Sequence, residues 1–220
     1  MRPGLFLDLD GTLADSLGVM RKIYDQFLAG FDRSSSQAEF DRLNGPSLLD
    51  VVKILKRDHD LVPSVEDLLS VYKNYLNTAY GEVQPSRGAG ALIDSAVDEG
   101  WTVSVVSSNV SNTVVSWLKE VGFDDKISVI ATGDTVARGK PAPDLYLKAI
   151  KDSGCDIASS YAVEDTLTGV RSAVGAGLAT FAVVVEGAHV VEWPPGVRTI
   201  ACLDQLIPVS RLHRQAMPDV

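Results

Sequence analysis

Two aspartates with one residue between them, Asp8 and Asp10, stand directly behind a short apolar run, Leu5-Phe6-Leu7, in the segment DLDGTLADS (8–16). Other polar groups follow later apolar runs in the same way: Ser107 in VVSSN, Lys140 in RGKPAPD, and Glu164 with Asp165 in VEDTLTG. If those runs are parallel strands of one sheet, their carboxyl ends bring these groups to one place, where open α/β sheets bind ligands. Carboxylates, a hydroxyl and an ammonium together meet the needs of phosphoryl transfer. The transferred group carries negative charge on its equatorial oxygens, so catalysis is mostly positioning and charge neutralisation. Mg²⁺ takes hard oxygen ligands and is usually held by one or two carboxylates plus phosphate oxygen and water, which suits Asp8, Asp165 and Glu164. A lysine, a hydroxyl and the amides opening the helix after Ser107 could hold the remaining phosphate oxygens. One aspartate could attack phosphorus while another moves protons.

The elements that must position these residues can be read from apolar spacing. Ser16 is expected to cap a helix running to about Leu28, with Val19, Ile23 and Phe27 on one face. The stretch up to Val83 reads as helices only. Phe40 and Leu43 precede a break at Asn44-Gly45-Pro46, Ser47 caps a second amphipathic segment, and Ser64 caps a third. After Pro85 strands and helices alternate. Helices are expected at 88–99, up to Gly122, at 143–153 and at 168–176. Strands are expected at 101–106, 127–131, 161–163 and 180–185, with an edge strand at 198–201. Such alternation implies α/β architecture, a doubly wound, mostly parallel, Rossmann-like sheet. The helical block is then an insertion after the first strand, giving a core of residues 1–15 and 85–220 and a small all-helical cap of residues 16–84. The loop 190–196 is expected to be irregular, and the tail after Ile207 loosely held.

The 220-residue chain, with formal charge −9 and pI near 4.8, is a poor general partner for nucleic acid or an anionic membrane. An anionic substrate would need local positive charge. Cys155 and Cys202 are too few and too far apart for a disulfide framework and read as reduced packing residues. The acidic Asp8 and Asp10 interrupt the apolar start too early for a signal peptide, and no apolar run spans a bilayer. These features predict a soluble cytoplasmic protein and leave monomer or homodimer undetermined; the phosphoryl-transfer residues above give it a small phosphorylated metabolite as partner.

DLDGTLADS resembles the first signature of the haloacid dehalogenase superfamily, and Ser107, Lys140 and Glu164-Asp165 follow in that family's order. The likeness covers the whole chain, cap included, and is nearest to the phosphoglycolate phosphatase and β-phosphoglucomutase branch. It implies that Asp8 is a nucleophile forming an aspartyl-phosphate. It also implies that Asp10 protonates the leaving group, then activates water, and lends its backbone carbonyl to Mg²⁺. Ser107 and Lys140, with Ser108 beside them, would bind phosphate, while Asp165 and Glu164 complete the metal site. Dehalogenases lack the second aspartate, and phosphonatases have a small residue there plus a Schiff-base lysine from the cap, for which Lys22 or Lys53 could be mistaken. Asp10 argues against both. The mutases carry a histidine where Met20 stands and an arginine where Leu48 follows Gly45-Pro46-Ser47. Both departures favour hydrolysis of a small phosphomonoester over sugar-phosphate isomerisation. Ser16, Met20, Asn44 and Ser47, with Lys73, are the cap residues expected to face the substrate, and cap closure would exclude water.

Each residue also has a plainer reading. Asp10-Gly11 alone suits a hairpin turn, but a helical pattern follows it. Ser108 and Asn109 suit helix capping better than chemistry, and Asp165 and Thr166 could cap as well. Lys140 before a proline would by itself be a solvated loop lysine. His59, His189 and His213 lack partners at metal-ligand spacing, and Tyr72, Tyr75 and Tyr80 read as cap core and surface. A scaffold of the same fold without turnover has to explain an intact set of catalytic candidates. A phosphorylated receiver would place its acidic residues in a different order.

Overall fold

Successive residues of a strand point to opposite faces, so a sheet between two helical layers splits its apolar residues between two cores. The computed structural model describes residues 2–184 and 191–215, the side chains of 213–215 excepted. Its strands are β1 (Gly4–Leu7), β2 (Thr102–Ser107), β3 (Val129–Thr132), β4 (Tyr161–Glu164), β5 (Ala179–Val183) and β6 (Arg198–Ile200). They form one six-stranded sheet in the order β3-β2-β1-β4-β5-β6, with every pairing parallel. The helices are α1 (Leu17–Ala29), α2 (Gln37–Leu43), α3 (Leu48–Asp58), α4 (Val65–Ala79), α5 (Ala89–Asp98), α6 (Ser111–Glu120), α7 (Asp144–Ser153), α8 (Leu167–Gly175) and α9 (Ser210–Gln215). Leu5, Leu7, Val103, Val105, Tyr161 and Val163 enter the layer covered by α5 and α6, with Leu92, Ile93, Val114 and Trp117. Phe6, Val106, Ala131 and Ala162 enter the opposite layer, against Leu145, Tyr146 and Ala149 of α7 and Ala173 of α8.

The chain leaves β1 for β2 and β3 on one side, then crosses to β4 and continues outward on the other. β1 and β4 therefore flank the point where strand order reverses, and the crevice beyond their carboxyl ends is the natural ligand site of such a sheet. Pairing Leu7 with Val105 and Val163 sets Asp8 level with Glu164, and the Asp8 amide donates to the Val163 carbonyl at 3.0 Å.

Between β1 and α5 lie only α1–α4 and a 3-10 turn, Tyr80–Glu82. Ser47 and Ser64 cap α3 and α4 as their sequence implies, each accepting from the amide three residues on, Asp50 and Asp67. Their buried faces, Val51, Val52 and Leu55 against Leu68, Tyr72 and Leu76, pack with Ile23, Phe27 and Leu28 of α1. This apolar cluster is continuous with the α5–α6 side of the sheet, joined through Leu13, Tyr80 and Val83. The Trp117 indole donates to the Val83 carbonyl at 2.8 Å, fixing the return from α4 to the sheet.

Several expectations need correction. Ser16 does not cap α1; its hydroxyl makes no cap bond and points to Asp10 instead. Neither Ser108 nor Asn109 occupies the N-cap of α6, where Val110 stands. The chain after Ile207 is held down to Leu212 at least, because Val209 and Leu212 are buried in the α5–α6 layer. The edge strand β6 forms and pairs with β5. Val185 and Val190, named in the expected strand and loop, lie outside the described residues, as do His189 and the side chain of His213.

Candidate active site

The first turn after β1 is built around Gly11. Its φ is +81°, and the Asp165 carboxylate occupies the space a Cβ would take, so the turn and the close approach both call for glycine. The turn leaves Asp8 and Asp10 in two different settings. Asp8 is buried, and Lys140 Nζ donates to its Oδ1 at 2.5 Å. The same ammonium lies 2.6 Å from Glu164 Oε1 and donates to the Val106 carbonyl at 2.9 Å. Those three contacts use the three N–H donors of a lysine. Tyr146 donates its hydroxyl to Glu164 Oε1 at 2.6 Å, and its ring lies 5.5 Å from the ammonium.

Asp8, Glu164 and Asp165 each place a carboxylate oxygen within 4.8 Å of the others. Burial, then Glu164, pushes the Asp8 carboxyl well up, only partly offset by Lys140. Burial and Glu164 likewise push Asp165 up to about 8. Burial alone would lower Lys140, but Asp8 and Glu164 outweigh it and hold the ammonium charged. Three carboxylates thus face one ammonium. Two of their buried oxygens, Glu164 Oε2 and Asp165 Oδ1, have no hydrogen-bond partner among the described residues. A surplus of negative charge with bare oxygens fits a divalent cation that takes oxygen ligands.

Asp10 lies apart from that cluster. Its Oδ1 accepts from Ser16 Oγ at 2.8 Å and from the Tyr80 hydroxyl at 2.6 Å, and its Oδ2 from Asn109 Nδ2 at 3.3 Å. Burial and the Asp10 charge push the Tyr80 phenol well above its ordinary range, keeping it a donor. Asn109 also accepts from the Val110 amide and so is fixed at both ends. Ser108 donates to the Gly45 carbonyl at 2.7 Å. Gly45, at φ +108°, sits so close to the Thr168 hydroxyl that a Cβ would overlap it. The helical block is therefore seated directly on the loops of the sheet.

A cavity of about 80 Å³ separates the two, room for several waters or a compact organic group. Asp8, Asp10, Ser108, Asn109, Lys140, Asp165 and Thr166 line one side, and residues of α1–α4 and the 44–46 turn line the other.

The pattern of the haloacid dehalogenase-like hydrolases matches residues 5–183. The chain belongs to that family. It is 26% identical over 208 residues to the 6-phosphogluconate phosphatase of Escherichia coli, covering 92% of this chain and 91% of that one. A bifunctional riboflavin kinase/FMN phosphatase of Arabidopsis thaliana is 27% identical over 180 residues, 81% of this chain. The chain spans only 48% of that longer relative. The crystal structure of CbbY from Rhodobacter sphaeroides in complex with phosphate superposes with a TM-score of 0.87 at 23% identity, covering 97% of this chain and all of that one. The likeness establishes the shared fold. Membership makes this chain a hydrolase, and the named phosphatases among its relatives place it with the phosphohydrolases.

Within this member of the family, the structure unites Asp8, Asp10, Lys140, Glu164 and Asp165 at one crevice. Ser107 is buried there, but its hydroxyl accepts from the Asn109 amide at 3.0 Å and does not line the cavity. Of the cap residues, Met20 and Asn44 line the cavity. Ser47 caps α3, and Ser16 serves Asp10; neither they nor Lys73 are among the lining residues. Sequence reasoning missed Tyr80 and Tyr146 and gave Asn109 a capping role. Asn109 could have been found as a further polar residue behind β2. Tyr80 and Tyr146 belong to helical segments whose spacing marks them as packing, and only the tertiary fold shows where their hydroxyls end.

Proposed function

We propose that this hydrolase is an Mg²⁺-dependent phosphatase of a small phosphomonoester, working through an aspartyl-phosphate on Asp8. The observation that carries the reading is the separation of two carboxylates two residues apart. Asp8 sits in the charged cluster, and Asp10 outside it is aimed by three neutral donors. Different settings for paired carboxylates are how one site assigns nucleophile and acid–base roles. Lys140 holds Oδ1 of Asp8, and the other oxygen attacks phosphorus. The bond from phosphorus to the ester oxygen breaks as Asp10 delivers a proton to the departing alcohol. Asp10 then takes a proton from water, whose oxygen attacks phosphorus, releasing phosphate and restoring Asp8. Asp8, Asp165 and Glu164, with the Asp10 carbonyl, would hold Mg²⁺. Bound there, the ion supplies charge neutralisation for the phosphate oxygens.

Lys140 serves by opposing the protonation that burial favours at Asp8 and by orienting it, with its donors already engaged, so its help to phosphate comes through charge. Ser108 lines the cavity, and its hydroxyl would meet a phosphate oxygen only by giving up its bond to the Gly45 carbonyl. Residues 16–84 act as the cap that selects the alcohol. An acidic chain with two unpaired cysteines suits a reducing cytoplasm.

The test is phosphate release from a panel of small phosphomonoesters, with Mg²⁺ and with chelator, for the native protein and Asp8→Asn. Release should require Mg²⁺ and fall at least about a thousandfold in the variant. A folded protein with Mg²⁺ that releases no phosphate from any ester would overturn hydrolysis and leave the mutase or scaffold alternatives.

A further inference from the structure

The cavity wall opposite the carboxylates holds no charge. It is made mostly by apolar side chains, Met20, Tyr24, Phe40, Leu43, Leu48 and Val51 with Tyr72 and Leu76, and by the uncharged Asn44-Gly45-Pro46 turn. Tyr24 contributes its ring and not its hydroxyl, which donates to Glu39 and accepts from the Ser36 amide. Its ring centroid lies 5.7 Å from that of Phe40, making one continuous aromatic surface. Arg21 lies against both rings, 5.6 and 5.7 Å from their centroids, but it is not a lining residue. Its guanidinium is engaged by Asp25 at 2.8 Å and Gln37 at 2.5 Å. Among the described residues, the only basic one lining the cavity is Lys140, whose donors are spent on Asp8, Glu164 and Val106.

A second phosphate or a carboxylate on the leaving group would enter this space without a cation to meet it, and burying an unpaired charge is strongly unfavourable. A hydrocarbon group would instead leave water for a wall that matches it. We infer that the leaving alcohol is uncharged and largely apolar, a branched alkyl or aromatic alcohol carrying a single phosphate, its hydrocarbon part lodged against Tyr24, Phe40 and Leu43. This rests on the phosphatase reading above and names the substrate class of that site.

Benzyl phosphate and isoamyl phosphate test it against 2-phosphoglycolate and fructose 1,6-bisphosphate, all esters of alkyl alcohols. With Mg²⁺, kcat/KM for benzyl phosphate should exceed that for 2-phosphoglycolate by about thirtyfold, mostly through KM. Leu48→Arg, at a half-buried position on the wall, should narrow that ratio at least about tenfold by adding a cation. Calorimetric binding of the same four esters to Asp8→Asn with Mg²⁺ reads the preference without turnover and without the arginine variant. Tighter binding of benzyl phosphate supports the inference. Parity, tighter binding of either anionic ester, or no binding of the benzyl and isoamyl esters overturns it. Benzyl preference in binding with no hydrolysis by the native protein would sink the phosphatase reading and leave the ligand class standing. Hydrolysis favouring the anionic esters would do the reverse.

Discussion

At the carboxyl edge of the sheet, Lys140, Asp8, Glu164 and Tyr146 hold one another through short polar contacts, and Ser16, Tyr80 and Asn109 hold Asp10. Across the same cavity, α1–α4 offer rings and aliphatic chains, held by packing. The helical block has its own buried polar group in Glu39, which Tyr24 and His59 satisfy away from the cavity. One region keeps charges in fixed positions at a cost in stability. The other is stable because it buries hydrocarbon, and it reaches the Asp10 carboxylate of the site through Ser16 and Tyr80. Fixed charge and apolar packing are therefore largely divided between the two regions.

The largest expected effect breaks the charged side alone. Lys140→Met leaves the Asp8 and Glu164 carboxylates buried without their cation, so unfolding free energy should drop by about 3–5 kcal/mol and turnover should vanish. Urea denaturation and phosphate release measure the two losses. In the helical block, Leu55→Ala removes a fully buried side chain from the α1–α3–α4 packing. It should cost about 3 kcal/mol of stability while the Mg²⁺ dependence of turnover stays unchanged, a contrast that denaturation and a metal titration reveal together.

The two kinds of region were also unequally legible in the sequence. Asp8, Lys140 and Asp165 stand immediately behind apolar strands or in the loop after one, and strand ends in a parallel sheet converge, so their meeting followed from order along the chain. The strands themselves, and the caps Ser47 and Ser64, were visible because local rules decide them. Tyr80, Tyr146 and the aromatic wall were not, because a tyrosine or leucine at helical spacing looks the same whether it faces a core or a cavity. Ser16 shows the limit of local rules most plainly. It had the position of an N-cap, and the pull of a nearby carboxylate took its hydroxyl elsewhere.

A smaller effect is the pH dependence of the metal-free protein, which belongs to the charged side. Asp165 titrates at about 8 folded, against an ordinary value of 3.8, with burial the main cause and Glu164 next. Between those values the folded chain keeps a proton that the unfolded chain has released, so stability falls as pH rises from about 4 to about 8. Asp8, also raised, acts in the same direction. In chelator the melting temperature should drop across that range. Mg²⁺ should restore more of it at pH 8 than at pH 5, because the cation competes with protons for the same oxygens. Equal recovery at both pH values would separate the cluster from metal binding. The smallest effect falls on the seam between the two regions. Tyr80→Phe removes one donor to Asp10 and should lower kcat about tenfold with KM nearly unchanged, as expected for a hydrogen bond to a charged group.

Tyr80 and Ser16 have a consequence for motion. The helical block is joined to the sheet by two crossings, one just before α1 and one just after α4. Ser16 stands on the first and Tyr80 on the second, and both donate to the same oxygen of Asp10. A rigid swing of α1–α4 away from the sheet shifts both crossings and so disturbs at least one of these bonds. In such a swing the aspartate would act as a latch, losing part of its alignment with the helical roof. An ester that binds without drawing the roof down would meet an unaligned acid and leave unhydrolysed.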